Sequence, residues 1–326
     1  MANEKKIRRI ALLTSGGDAP GMNAAIRAVV RTAIYNNIQV LGFRRGYSGL
    51  INNDFMEMDS RSVNKITSRG GTMLYTARCD EFKTEAGQKR AADNCRYLGI
   101  DGLICIGGDG TFRGAEALSK YGIATVGIPA TIDNDIGCSH YTIGFDTAAN
   151  TAIDAIDKLS DTMQSHERIS VVEVMGRHAG HLAIYVGLSC GAAVTLVPEE
   201  PFDMQRDVID VIREGRINGR NHAIVIVAEG VKYAMDISRK IEEETGIECR
   251  LTTIGHVQRG GSPSARDRVM ATRMGHYAVE ALMRGERNIV VCYRDSRICS
   301  IDCTEALAMH RDLDRYMYRV SKEVPI

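Results

Sequence analysis

The sequence predicts an α/β protein made of two doubly wound domains, and three observations lead there. Short apolar runs alternate with amphipathic segments along nearly the whole chain. Several of those runs end in glycine-rich turns. A strand–glycine–helix unit opens at 10–17, and a second one restarts at 168–177. Alternation of this kind implies parallel sheets covered by helices on both faces.

The first strand, expected at 10–14, is the apolar run Ile-Ala-Leu-Leu closed by Thr14, and it feeds an amphipathic helix at 24–35. Strands follow at 40–43, 103–106 and 125–128, each dominated by Val, Leu, Ile or Phe. A long amphipathic segment at 146–161 reads as a helix. It precedes strands at 170–174, 193–197 and 223–228, with a helix at 204–214 between the last two. A helix at 264–284 and a strand at 289–293 close the series. The expected architecture is two three-layer, Rossmann-like domains facing each other across a cleft that holds the active site. With only six prolines and no low-complexity stretch or repeat, composition marks no linker.

A chain of 326 residues is long for one domain and comfortable for two. Charged residues make up 25% and hydrophobic ones 44%, the balance of an ordinary globular protein. The 41 basic and 41 acidic residues cancel, which argues against a nucleic-acid protein driven by overall charge. The nine cysteines are scattered, with no CxxC pair, and read as free thiols of a reducing, cytoplasmic setting. The opening Met-Ala-Asn-Glu-Lys-Lys carries no apolar signal core, and no apolar run is long enough to span a membrane.

The chemistry concentrates after three strands. Thr14-Ser-Gly-Gly-Asp-Ala-Pro-Gly21 joins the first strand to its helix and offers backbone N–H groups to a phosphate. It is neither a GxGxxG fingerprint nor a P-loop, and alone such a turn is more often mere geometry. Gly107-Gly-Asp-Gly-Thr111 follows a buried run, and its glycines leave Asp109 free to meet a metal-bound phosphate rather than only to cap a helix. Thr131-Ile-Asp-Asn-Asp135 carries carboxylates at i and i+2, which extended backbone would point to one side. If the two strands are neighbours, glycine backbone and three carboxylates share one crevice at the carboxyl ends. That is equipment for phosphoryl transfer.

A basic set lies downstream. Arg168 and Arg177 flank one strand, and Arg250, His256 and Arg259 surround the segment Gly255-His-Val-Gln-Arg-Gly-Gly261. Cations at the ends of buried strands need an anion, either acids of the same chain or a phosphate on the acceptor. Glu229, after the strand at 223–228, is placed to accept from sugar hydroxyls or simply to face solvent.

With these residues in hand, the chain resembles the bacterial-type 6-phosphofructokinases from about residue 10 through the last strand. The resemblance rests on the ordered segments Thr-Ser-Gly-Gly-Asp-Ala-Pro-Gly-Met-Asn at 14–23, Gly-Gly-Asp-Gly at 107–110, Thr-Ile-Asp-Asn-Asp at 131–135, Met-Gly-Arg at 175–177 and Gly-His-Val-Gln-Arg-Gly-Gly at 255–261. It implies ATP-dependent phosphorylation of the 1-hydroxyl of fructose 6-phosphate, a step of glycolysis, with Mg²⁺. It implies Asp133 as general base, supported by Thr131 and Asp135, and Asp109 as the metal-binding group. Gly17, Arg78 and Arg177 serve the transferring phosphoryl. Tyr47, Cys79, Gly108, Gly110, Thr111 and Gly114 line the nucleotide site with Gly17, Arg78 and Asp109. Arg168, Arg250, His256 and Arg259 hold the 6-phosphate, and Met175, Gly176, Arg177 and Glu229 meet the sugar. The implied domains are 1–144 with 258–308 for the nucleotide, and 145–257 with 309–326 for the sugar phosphate. Arg168 and Arg250 reach in from a neighbouring subunit, which implies a homotetramer.

The chain departs from the family pattern in three places. Ala130 stands where ATP-using members carry glycine and pyrophosphate-using ones lysine. Together with Gly110, where pyrophosphate users carry aspartate, it favours ATP. Cys79 and Asp80 replace the usual Phe-Pro after Arg78. The effector site keeps Arg27 and Arg31, with Arg220 as a further cation, but Ser60, Ser160, Lys65 and Ala193 replace groups that would hold effector phosphates and their metal. A weak response to ADP and phosphoenolpyruvate is expected. The alternatives are a pyrophosphate-dependent phosphofructokinase, an NAD-kinase-like enzyme and a non-catalytic nucleotide-sensing relative. The NAD-kinase reading leaves the arginine–histidine set without a role, and a mere sensor needs no base.

Overall fold

The computed structural model describes residues 7–324, which divide into two compact units. The first takes the chain to Thr131, then Ile136–Asp146 and Arg259–Arg311. The second takes Ile132–Asp135, Thr147–Gln258 and the chain from Asp312 onward. The opening hexapeptide, read above as lacking a signal core, lies outside the described residues, as do the last two positions. Ile132–Asp135 counts with the second unit, where the sequence reading had kept it in the first domain.

In chain order the first unit begins β1 (Arg9–Thr14), α1 (Met22–Tyr35), β2 (Gln39–Phe43), α2 (Tyr47–Asn52), β3 (Phe55–Met58), α3 (Glu85–Tyr97), β4 (Gly102–Gly107), α4 (Asp109–Ser119), β5 (Thr125–Thr131) and the two-residue β6 (Ile143–Gly144). Then come α5 (Phe145–His166), β7 (Ile169–Val174), α6 (His181–Ser189), β8 (Val194–Leu196), α7 (Asp210–Ile217), β9 (Ala223–Ala228), α8 (Ala234–Thr245) and β10 (Cys249–Thr253). The chain ends with α9 (Ala265–Met283), β11 (Ile289–Arg294), β12 (Arg297–Asp302), α10 (Cys303–Ala308) and α11 (Arg315–Glu323).

The sheet of the first unit runs β12-β11-β5-β4-β1-β2-β3, with β6 paired to β5. It is parallel except at its two edges, where β3 and β12 pair antiparallel to their neighbours. Its central strands β1, β4 and β5 are nearly continuous apolar runs because helices cover both faces. The second sheet, β10-β7-β9-β8, is parallel throughout. No helix among the described residues is long and apolar enough to cross a membrane.

Each of the eight expected strands is present, β9 with the expected ends and the others with ends shifted by one to three residues. The strand expected at 125–128 continues through Pro129 and Ala130 to Thr131, because β4 pairs with it as far as Pro129 and β6 pairs with Ala130 and Thr131. The helix expected at 204–214 is instead a π-helical turn, Gln205–Ile209, running into α7.

Candidate active site

Three adjacent parallel strands of the first unit, β1, β4 and β5, bring their carboxyl ends side by side. Ser15 N–H donates to the Ile106 carbonyl at 3.1 Å, and the Thr111 hydroxyl donates to the Ser15 carbonyl at 3.0 Å. The turn after β1 is thereby tied to the turn after β4. Thr131 closes β5 beside them: a Cβ on Gly108 would lie 4.0 Å from the Thr131 Cβ. The two motifs read from sequence thus leave neighbouring strands.

Asp109 is the first residue of α4, with Gly108 as its N-cap and no side-chain cap. It is half-buried, and Gly110 beside it is exposed. Asp109, Gly110 and Thr111 therefore form the first turn of an 11-residue helix whose amino end favours anions. Under that turn the Tyr47 hydroxyl donates to the Thr111 carbonyl. The Tyr47 ring fills the space of a Gly114 Cβ, which would sit 2.5 Å from it, and stacks on Phe82 at 4.1 Å. Burial pushes the Tyr47 hydroxyl well above its ordinary pKa, so it stays a neutral donor. Tyr47, Thr111 and Gly114 are buried, so they shape α4 from within. Phe82 was not singled out in the sequence because nothing in its spacing marks it.

The turn after β1 leads into α1 through Gly21, whose φ of 111° an L side chain rarely adopts. Asn23 anchors a loop to this helix: its amide donates to the Arg69 and Gly70 carbonyls, and its oxygen accepts from Met73 N–H at 2.8 Å. Thr14 donates to the Tyr75 carbonyl and Thr76 to the Gly16 carbonyl. These bonds fasten 69–76 to the glycine turn and deliver the exposed Arg78 and half-buried Cys79 next in the chain.

One expectation is corrected here. Asp133 and Asp135 were expected on one side of an extended strand, but β5 ends at Thr131 and Asn134 is left-handed at φ 51°. The two carboxylates belong to a bend, with Asp133 buried at 6% exposure and Asp135 half-buried. Arg259, which the resemblance implies holds the 6-phosphate, falls in the segment 258–308 expected with the nucleotide domain. It lies in the first unit, its Nη1 donating to the Asp18 carbonyl at 3.2 Å and filling the space a Gly17 Cβ would take.

In the second unit the carboxyl ends of β7 and β9 carry Met175, Gly176, Arg177 and Glu229. Met175 N–H donates to the buried Gln258 side-chain oxygen at 2.9 Å, and Arg177 N–H donates to Glu229 Oε1 at 2.7 Å. These bonds hold a loop in which Gly176 has φ 146° and Arg177 φ 57°. Left-handed backbone at a non-glycine residue costs about 1–2 kcal/mol, so the loop requires such anchors. Arg177 is exposed and Glu229 half-buried; His256, in the turn after β10, is exposed. Gln258 has a structural role that the basic residues around it concealed in the sequence.

Arg168 and Arg250 lie at the other end of that sheet. Arg168 precedes β7, and Arg250 is the second residue of β10, paired in register with Ser170. Both are held by one carboxylate, Glu248: Arg168 Nε donates at 2.6 Å and Arg250 Nη2 takes the other oxygen. Desolvation works to raise the Glu248 carboxyl, but hydrogen bonding from Arg250 and the charge of Arg168 hold it below its ordinary range. The six-residue β7 spans roughly 20 Å between Arg168 and Met175.

The candidate effector residues fall into two groups. Arg31 donates to the Ser60 carbonyl at 3.0 Å in the first unit, near the half-buried Arg27 on the same helix. Ser160, Ala193 and Arg220 line one concavity of the second unit together with His222.

A family model described as phosphofructokinase matches residues 9–282. The chain is 52% identical over 318 residues to ATP-dependent 6-phosphofructokinase 1 of Clostridium perfringens, covering 98% of this chain and 99% of that one. It is 54% identical over 316 residues to ATP-dependent 6-phosphofructokinase of Clostridium tetani, covering 97% and 99%. Among solved structures, phosphofructokinase from Saccharomyces cerevisiae superposes with a TM-score of 0.86 at 34% identity, over 92% of this chain and 45% of that longer one. A pyrophosphate-dependent phosphofructokinase from Marinobacter aquaeolei, at 21% identity and a TM-score of 0.85, shares the fold over 95% of this chain and 86% of its own. The model match and these full-length identities place the chain in the phosphofructokinase family.

Proposed function

We propose that this chain is an ATP-dependent 6-phosphofructokinase of glycolysis, transferring the γ-phosphoryl of ATP to the 1-hydroxyl of fructose 6-phosphate. The observation that carries the reading is the pair of neighbouring strands β4 and β5, which end in Gly108-Asp109 and in Thr131 just before Asp133. Phosphoryl transfer asks a protein chiefly for positioning and charge neutralisation. The amino end of α4 and the backbone N–H of Gly17 receive the transferring phosphate, and Arg78 and Arg177 balance its charge. Asp133 takes the proton of the acceptor hydroxyl as the bond forms.

Mg²⁺ fits Asp109. The described residues contain no cluster of three or more His, Cys, Asp or Glu groups able to cage a metal. Mg²⁺ in such enzymes needs only one or two carboxylates, with phosphate oxygens and water completing its shell. When bound, it would neutralise charge on the transferring phosphate.

The sugar is met by Met175, Gly176, Arg177 and Glu229, with His256 and Arg259 toward the 6-phosphate. Arg168 and Arg250 serve the acceptor phosphate of a second copy, since strand length separates them from the sugar-facing residues of their own sheet. The working protein is therefore a homo-oligomer, a tetramer in the enzymes this chain resembles, and it works in the cytoplasm. Arg27, Arg31 and Arg220 supply too few converging cations for strong effector control. The test is a coupled assay offering ATP and pyrophosphate separately with fructose 6-phosphate. ATP is expected to support at least tenfold higher kcat/KM, about 1.4 kcal/mol. Equal or faster turnover with pyrophosphate would overturn the donor assignment that rests on Gly110 and Ala130.

A further inference from the structure

Two cysteines that no step above uses face each other across the hairpin β11–β12. The strands are joined through Asp295 and Ser296, both left-handed with φ of 47° and 63°. The antiparallel register sets Cys292 directly opposite Cys299. Directly opposed residues of such a pair lie about 4.5–5.5 Å apart at Cα, inside the roughly 4.4–6.8 Å span of disulfides. Backbone pairing alone therefore permits a bond. The side chains go further, with the two Sγ atoms 3.3 Å apart. Both thiols are free.

The environments of the two differ. Cys292 is fully buried, in a cluster with Phe112, Cys138 and Cys303. Cys299 is half-buried on β12, the edge strand of the sheet. Burial and the neighbouring Cys299 push the Cys292 thiol well above its ordinary range, which makes it a poor nucleophile toward anything in solution. A modified Cys299, its sulfur 3.3 Å away, is within direct reach.

We propose that Cys292 and Cys299 form a site of reversible oxidation, closing a disulfide across β11–β12 when a hydroperoxide is the oxidant. The Cys299 sulfur attacks the peroxide O–O bond and becomes a sulfenic acid. The distal oxygen leaves as water or alcohol with the thiol proton. The Cys292 sulfur then attacks the sulfenic sulfur, its S–H proton leaves with the departing hydroxyl as water, and the S–S bond forms. In total two thiols are oxidised by two electrons and one peroxide is reduced. Contact at 3.3 Å makes the second step intramolecular, which offsets the weak acidity of Cys292. Closure draws the sulfurs to about 2.05 Å, a movement of side chains rather than of the hairpin. β11 itself is anchored at the next residue, where Tyr293 N–H donates to the Ser139 hydroxyl and the Tyr293 carbonyl accepts from His140 N–H.

The experiment treats the native full-length protein with hydrogen peroxide, blocks remaining thiols and digests with trypsin without reductant. Cleavage after Arg287, Arg294, Arg297 and Arg311 puts Cys292 in 288–294 and Cys299 in 298–311. The proposal expects these two peptides joined, lighter by two hydrogens than their sum and separated by dithiothreitol. Cys303 shares the second peptide, so Cys303→Ser must keep the link and Cys299→Ser must lose it. Half-buried Cys79 and Cys190 report general thiol reactivity in the same digest. Oxidised protein in which Cys299 is sulfinic acid while Cys292 remains alkylated would overturn the proposal. So would a link that vanishes in Cys303→Ser.

Discussion

At the carboxyl ends of β7 and β9, the residues proposed to meet the sugar sit on a strained loop whose backbone is fixed by Gln258 and Glu229. At the amino ends of β7 and β10, Arg168 and Arg250 share a single carboxylate near solvent, with side-chain exposures of 30% and 64%. One end is built to hold a geometry, and the other keeps charge in reserve. Ligands of parallel sheets bind at carboxyl ends, so the amino-end arginines need another explanation. Loss of this pair should be felt by a neighbouring copy, whereas loss of a carboxyl-end group should be felt in its own chain.

The largest expected effect lies in the bend after β5. Asp133→Ser should lower kcat by roughly 10²–10⁴-fold, with substrate affinities little changed. Steady-state kinetics with a near wild-type kcat would remove Asp133 from the mechanism.

A second measurement separates the two ends of the sheet. Arg168→Ala or Arg250→Ala should raise KM for fructose 6-phosphate roughly ten- to a hundredfold, the scale of a lost charge-assisted hydrogen bond. KM for ATP should hold. An equal rise in both would mean that these arginines support the fold rather than the acceptor.

A smaller effect tests the reserve itself. Glu248→Gln frees both guanidiniums from their internal anion, so KM for fructose 6-phosphate should fall roughly two- to fivefold, as suits an exposed pair. The gain should shrink as salt rises. A raised KM would show that Glu248 orients the arginines instead of competing with the phosphate.

Much of this was legible in the sequence, because buried parallel strands announce themselves as apolar runs and phosphate turns as glycines. The edge strands β3 and β12 were not read. They are only partly buried, β3 is just four residues broken by Glu57, and β12 mixes polar with apolar residues, so no continuous apolar run marks them. The bend at Asn134 was read as extended because a left-handed asparagine leaves no trace in residue spacing. Glu248 was invisible as a partner because its two arginines lie 80 and 2 residues away, brought together by the pairing of β7 with β10.

The claim that one acceptor site draws arginines from a second copy is tested most directly by hybrids. Asp133→Ser and an Arg168→Ala, Arg250→Ala double variant are each prepared inactive, then dissociated, mixed and reassembled, with subunit exchange verified by native mass spectrometry. In a hybrid pair, one site receives an intact Asp133 from one copy and intact arginines from the other. The account predicts recovery of about a quarter of wild-type activity at equal mixing across a two-fold interface. Verified hybrids with no recovered activity would contradict it.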